Sequence, residues 1–118
     1  MFGKKDDTNA SFAMQSMNTI GVGTSIDGNI NSDGDIRVDG KIKGNVSTTG
    51  RLVIGQTGEV IGDLKCQNGN IEGNVKGNIQ VFEVLKLTKT ASVDGMVKTQ
   101  KIVVEEGAIL EAKVTMIS

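Results

Sequence analysis

A chain of 118 residues with 16 Gly, no Pro, Trp, Tyr or His, and a formal net charge of −1 is long enough for one domain and too short for two. Lacking His and holding one cysteine, Cys66, it has no four-ligand Cys/His metal site, no internal disulfide and no Ser–His or Cys–His pair, so an enzyme is not expected. The near-neutral charge offers no broad basic field to nucleic acid. No run nears the roughly 18 apolar residues of a spanning helix, and residues 1–20 lack a signal-peptide core, so a cytoplasmic protein without cofactor is expected.

Residues 1–18 are polar and irregular and read as a flexible N-terminal tail. Met1, Phe2, Gly3, Lys4 and Lys5 form an apolar-plus-basic cluster, the candidate membrane-binding site. Met1 and Phe2 suit the headgroup boundary, and each Lys gains about 1 kcal/mol from anionic lipid. Phe2 stands where N-myristoylation requires Gly. Asp6 and Asp7 oppose the lysines, so a single tail anchors weakly and an array of tails binds by avidity. Farther along, Phe12, Met14 and Met17 offer weak cover to whatever follows.

From residue 19 to 118 the chain alternates. The even positions from Ile20 to Cys66 carry no charge, and every Asp, Glu, Lys and Arg of that stretch is odd. This is the period of a strand, sustained far beyond the usual 5–6 residues, and a helix of period 3.6 cannot present it. The phase slips near Asn68–Asn70, so that Ile71, Val75, Ile79, Val81, Leu85, Leu87, Val93 and Val97 carry the core. It slips back near Thr99–Ile102. Each slip reads as a corner or bulge with an odd residue count.

A five-residue motif, apolar-x-Gly-x-apolar, recurs at 26–30, 42–46, 60–64, 75–79 and 93–97, and degenerates to Ala112 at 110–114. Residues 38–46 also align with 71–79 at a shift of 33, two coils' worth. A strand-like repeat of this size specifies an all-β, single-domain β-solenoid of about six coils. The recurring Gly, inward between two apolar residues, marks a corner. Asp27 with Lys43, and Lys76 with Asp94, occupy the same coil position in successive rungs. Cys66 is inward, a small buried apolar residue. Val53, Ile61, Phe82, Val84 and Met96 are outward and scattered.

A solenoid has two open ends, each a ring of unpaired strand edges over a slice of core. Ile20, Val22 and Ile26 are the candidate polymer interface at the N-terminal end; Leu110, Val114, Met116 and Ile117 are its counterpart at the C-terminal end. Contacts at both ends of a straight rod propagate into a filament.

The repeated I-x-G-x-[IV] coils, the small size and the opening Met1-Phe2-Gly3-Lys4-Lys5 resemble the bactofilins, bacterial cytoskeletal proteins. That resemblance implies a right-handed parallel β-helix of roughly triangular cross-section. It further implies nucleotide-free polymerisation, with like ends joined into non-polar filaments. It places the protein as a peripheral one at the inner face of the cytoplasmic membrane, organising cell-shape or cell-wall machinery. The implied partners are other copies of the chain, inner-membrane lipid, and cell-wall enzymes or polarity proteins. Many members carry an aromatic in the last coil that matters for assembly; here Met116 and Ile117 hold that region, and Phe82 lies in an earlier coil. The alternative reading is a monomeric or dimeric solenoid adaptor that binds a partner through one face. A left-handed hexapeptide-repeat acyltransferase has similar coils, but its chemistry needs a His that is absent.

Overall fold

The computed structural model describes residues 17–117, with side chains from Asn18 onward. Every described element is a strand, and all 12 pairings between them are parallel. The strands stack in three columns, one per face of a solenoid. On the first face β1 (Met17–Ile20) pairs β4 (Asp35–Val38), then β7 (Arg51–Ile54) and β10 (Asn68–Ile71). On the second, β2 (Ser25–Asp27) pairs β5 (Lys41–Lys43) and then β8 (Glu59–Ile61). On the third, β3 (Ile30–Ser32) pairs β6 (Val46–Thr48) and then β9 (Leu64–Cys66). In the upper coils the strands run on through the corners and so lengthen. β11 (Asn74–Leu87) and β12 (Ser92–Val104) each run through three faces, and β13 (Ile109–Met116) through two. Six coils result, beginning near residues 17, 35, 51, 68, 84 and 101.

Inward columns build the core. Ile36, Leu52, Gly69 and Leu85 stack in one, and Val38, Ile54, Ile71 and Leu87 in its neighbour. All are fully or nearly fully buried. Two buried hydroxyls interrupt the apolar interior at the third face. Thr99 donates to the Lys101 carbonyl at 3.1 Å, and Thr48 accepts the Gly50 N–H at 3.0 Å. Each is thereby satisfied, as a buried polar group must be. Outward Val53 is nonetheless only 7% exposed; it sits in the column between Arg37 and Asn70.

Coil length follows from two variable corners. Ile26, Ile42, Val60, Val75, Val93 and Leu110 stack on the second face, giving steps of 16, 18, 15, 18 and 17 residues. The corner leading onto the second face is either a four-residue turn or a two-residue one. The wide form closes with an N–H to carbonyl bond, as from Gly58 to Gly55 at 2.9 Å and from Ala91 to Thr88 at 2.9 Å. The tight form is Asp39–Gly40 or Glu72–Gly73. The corner leading onto the first face holds two residues at 33–34, 49–50 and 82–83, but one at Gln67 and one at Gln100. Two short corners give 15 residues and two long ones 18. Only the single-residue form changes parity, which is why the alternation slips at Gln67 and Gln100 and nowhere else.

The third corner is fixed by glycine. Gly28, Gly44, Gly62, Gly77 and Gly95 all have φ between 141° and 148°. A Cβ on Gly44 would overlap the Gly28 carbonyl, and one on Gly62 the Gly44 carbonyl. The rungs therefore touch backbone to backbone here, and only Gly fits. Beside this column runs a ladder the alternation did not reveal. Asn29 Oδ1 accepts the Asn45 N–H at 3.0 Å, Asn45 Oδ1 the Asp63 N–H at 3.1 Å, and Asp63 Oδ1 the Asn78 N–H at 3.2 Å.

Candidate functional site: the ends of the coil stack

The terminal rungs are half-paired. Among the described residues β1, β2 and β3 at the N-terminal end each pair only upward, with β4, β5 and β6. At the C-terminal end the last turn of β12 and all of β13 pair only downward. Each end thus presents three strand edges whose outer N–H and C=O groups have no partner among the described residues. Such edges template further strands.

The two ends differ in chemistry. At the N-terminal end Ile20, Ile26 and Ile30 lie beneath Val38, Ile42 and Val46, half-buried against the core. The other two inward positions are polar: Asn18 Nδ2 donates to Ser32 Oγ at 3.0 Å, and Ser32 Oγ accepts the Gly34 N–H at 3.0 Å. At the C-terminal end the matching positions are Ile102 and Met116, above Leu85 and Thr99. With Val104, Leu110 and Val114 they make an apolar slice. Met116 is 53% exposed, Val104 46%, and outward Ile109 53%.

Of the residues read from sequence as end contacts, Ile20 and Ile26 lie on the inward columns of the first rung and Leu110, Val114 and Met116 on those of the last. Ile117 follows β13, its N–H donated to the Thr99 carbonyl at 2.8 Å. Val22 is set apart from these: it is 74% exposed at the tip of a wide corner. The equivalent tips are Gln56, Lys89 and Glu106. The even-position count places Val22 inward because a four-residue turn preserves parity while turning its tip to solvent. Sequence reasoning omitted Ile30, Ile102 and Val104 from the ends, although the same alternation carries them. The membrane cluster, Met1 to Lys5, lies outside the described residues.

The sides of the rod are polar and mixed in sign. Arg37 holds Asp39 at 2.9 Å, a hydrogen bond and charge contact that raise the guanidinium pKa. Lys41–Glu59 and Lys86–Glu105 approach at 3.8 Å. Cys66 faces the core, and burial pushes its thiol up to about 12. A shallow groove runs along the third face, lined by Lys65, Gln80, Met96 and Lys98. Among the described residues no cluster of acidic, Cys or His side chains could hold a metal ion, and no helix is long and apolar enough to cross a membrane.

Comparison with known proteins agrees with this geometry. The family model described as "Bactofilin: Polymer-forming cytoskeletal" matches residues 18–115. The chain is 32% identical over 97 residues to Bactofilin BacO of Myxococcus xanthus (strain DK1622), covering 82% of this chain and 77% of that protein. It also resembles the crystal structure of a single-substitution mutant of a bactofilin from Thermus thermophilus. That match has a TM-score of 0.72 and 32% identity, and it covers 75% of this chain and 99% of the other.

Proposed function

Since the chain belongs to the bactofilins, a polymer-forming cytoskeletal family, we propose that it is a scaffold that assembles end to end, without nucleotide, into non-polar filaments. The observation that carries this reading is the pair of half-bonded terminal rungs, the last of them floored with Ile102, Val104, Leu110, Val114 and Met116. Joining two such ends removes apolar surface from water at about 25 cal/mol per Å² and completes the strand ladder. Where the axis stays straight from one molecule to the next, such contacts at both ends run on into a fibre rather than a closed ring. Along the filament the Met1 to Lys5 tails are displayed in a row, so weak individual contacts with anionic lipid add up. We assign the polymer to the inner face of the cytoplasmic membrane, as a platform for cell-shape or cell-wall machinery.

Negative-stain electron microscopy of the purified chain without nucleotide tests the core of this. Filaments about one rod wide are expected. The Val114→Arg variant is expected to give short particles with unchanged circular dichroism, because a buried unpaired charge is costly at a joint. Wild-type protein that remains single short rods at all concentrations refutes the filament reading and leaves the adaptor.

A further inference from the structure

We propose that the corner between the third and first faces is a lipid-contacting ridge, with Phe82 as its apolar tip and a surround of cations for anionic headgroups. The inference deepens the membrane assignment made above and rests on it. It starts from corner length. The corners at Gln67 and Gln100 hold one residue, whereas the one between them holds two, Phe82 and Glu83. The Glu83 N–H donates to the Gln67 carbonyl at 2.9 Å. Glu83 therefore keeps the place in the ladder, and Phe82 is the added residue, re-aimed outward as a bulge re-aims a side chain. Phe82 is the only aromatic among the described residues, and it is 40% exposed. A ring of that size ordinarily goes to the core.

Positive charge gathers around the same corner. The outward strand positions of the first and third faces, which meet there, carry Arg37, Arg51, Lys65, Lys86, Lys98 and Lys101 against a single described acid, Asp35. On the second face, opposite the ridge, acids prevail: Asp27, Glu59, Asp94 and Glu111 against Lys41, Lys43 and Lys76. Arg37 and Lys86 are engaged by Asp39 and Glu105. Arg51, Lys65, Lys98 and Lys101 are exposed and form no ion pair with another described residue. Lys65 Nζ lies 5.7 Å from the centroid of the Phe82 ring. Lys98 stands two rungs above Lys65 on the third face, and Lys101 directly above Val84 on the first. Glu83, beside the ring, accepts a hydrogen bond from the Gln67 amide. A convex corner offers no pocket to a peptide or a nucleotide. It suits a layer that yields: the ring reaches the headgroup boundary while each lysine gains from anionic lipid. Stable attachment takes two signals; the Met1 to Lys5 tail is one and this ridge the second.

The full chain mixed with vesicles of phosphatidylcholine, with or without phosphatidylglycerol, tests the ridge. The sequence has no Trp, so Phe82→Trp places a single fluorescent reporter on the ridge. Gln56→Trp, exposed at the corner between the first and second faces, is the control. With anionic vesicles the first reporter should shift to the blue and be quenched by brominated lipid, and the second should not change. Lys98→Ala with Lys101→Ala should lower vesicle affinity by about fivefold per lysine, with assembly unchanged in electron micrographs. An unquenched Phe82→Trp, an equal response from Gln56→Trp, or the same shift with soluble polyglutamate overturns the proposal. Flotation with vesicles that Phe2→Asp with Lys4→Glu abolishes, and the paired lysine substitutions leave intact, also overturns it but keeps the membrane assignment. Wild-type protein that floats with neither vesicle overturns both.

Discussion

Replacing Gly62 by Ala asks how tightly the rungs are set. Its φ is 148°, a conformation costing an L-residue about 1–3 kcal/mol. The added Cβ would also overlap the carbonyl oxygen and carbon of Gly44, which are backbone and cannot rotate away. Prising the two rungs apart at that corner sacrifices one or two ladder hydrogen bonds at about 1 kcal/mol each. The expected loss is therefore about 2–5 kcal/mol, a fall in Tm of about 10 °C or more for a domain this size. Gly69→Ala is the control. That glycine has no positive φ, and its Cβ would meet only side chains: Leu85 at 3.2 Å, Val81 at 3.3 Å and Cys66 at 3.4 Å. Slight crowding is offset by about 0.4–1 kcal/mol from the stiffer unfolded chain, for a net change within about 1 kcal/mol. Both are read by circular dichroism melts at one low protein concentration. Equal destabilisation by the two substitutions would refute backbone contact as the reason for the glycine column.

Further outcomes follow from other sites. Asn45→Ala removes the acceptor for the Asp63 N–H, and because that group can turn to water the loss should be about 1 kcal/mol by urea denaturation. Cys66 should resist a thiol reagent at pH 8 and react fully once the chain is unfolded. Its folded pKa of about 12 exceeds the ordinary 9.0, so the unfolded chain loses the proton first as pH rises. Its contribution to stability is complete below about pH 9 and declines between 9 and 12; the gap in Tm between wild type and Cys66→Ala should shift across that window. Liposomes with anionic lipid should pellet assembled wild-type protein and leave Val114→Arg in the supernatant, and equal pelleting of both would detach membrane binding from assembly.

Much of the architecture was legible because a solenoid writes its cross-section into the chain as strict parity. Ile36, Leu52 and Leu85 are buried where alternation put them, and both slips fall at one-residue corners. What parity could not show is any corner of even length. A two-residue turn at Asp39–Gly40 and a four-residue turn at 55–58 look alike to it, so the alternation of tight and wide turns was hidden and Val22 was misplaced inward. The Asn29–Asn45–Asp63–Asn78 ladder was also missed, since its bonds join residues 15–18 apart and each is an ordinary polar corner residue when viewed singly. The ends were partly legible: Leu110 and Met116 were read from alternation, but the polar Asn18–Ser32 pair that distinguishes one end from the other required the rung geometry.

Among the described residues, every fully buried apolar side chain belongs to the four middle turns, from Ile36 to Val97. The first and last turns supply only half-covered ones, such as Ile26 and Leu110. An isolated molecule is consequently a firm centre between two soft margins that open and close more readily than the middle. Amide exchange should grade smoothly from slow at Ile54 and Ile71 to fast at either margin. Docking onto a neighbour would turn a margin into a middle, so protection would spread along the fibre and stay low only at its two tips.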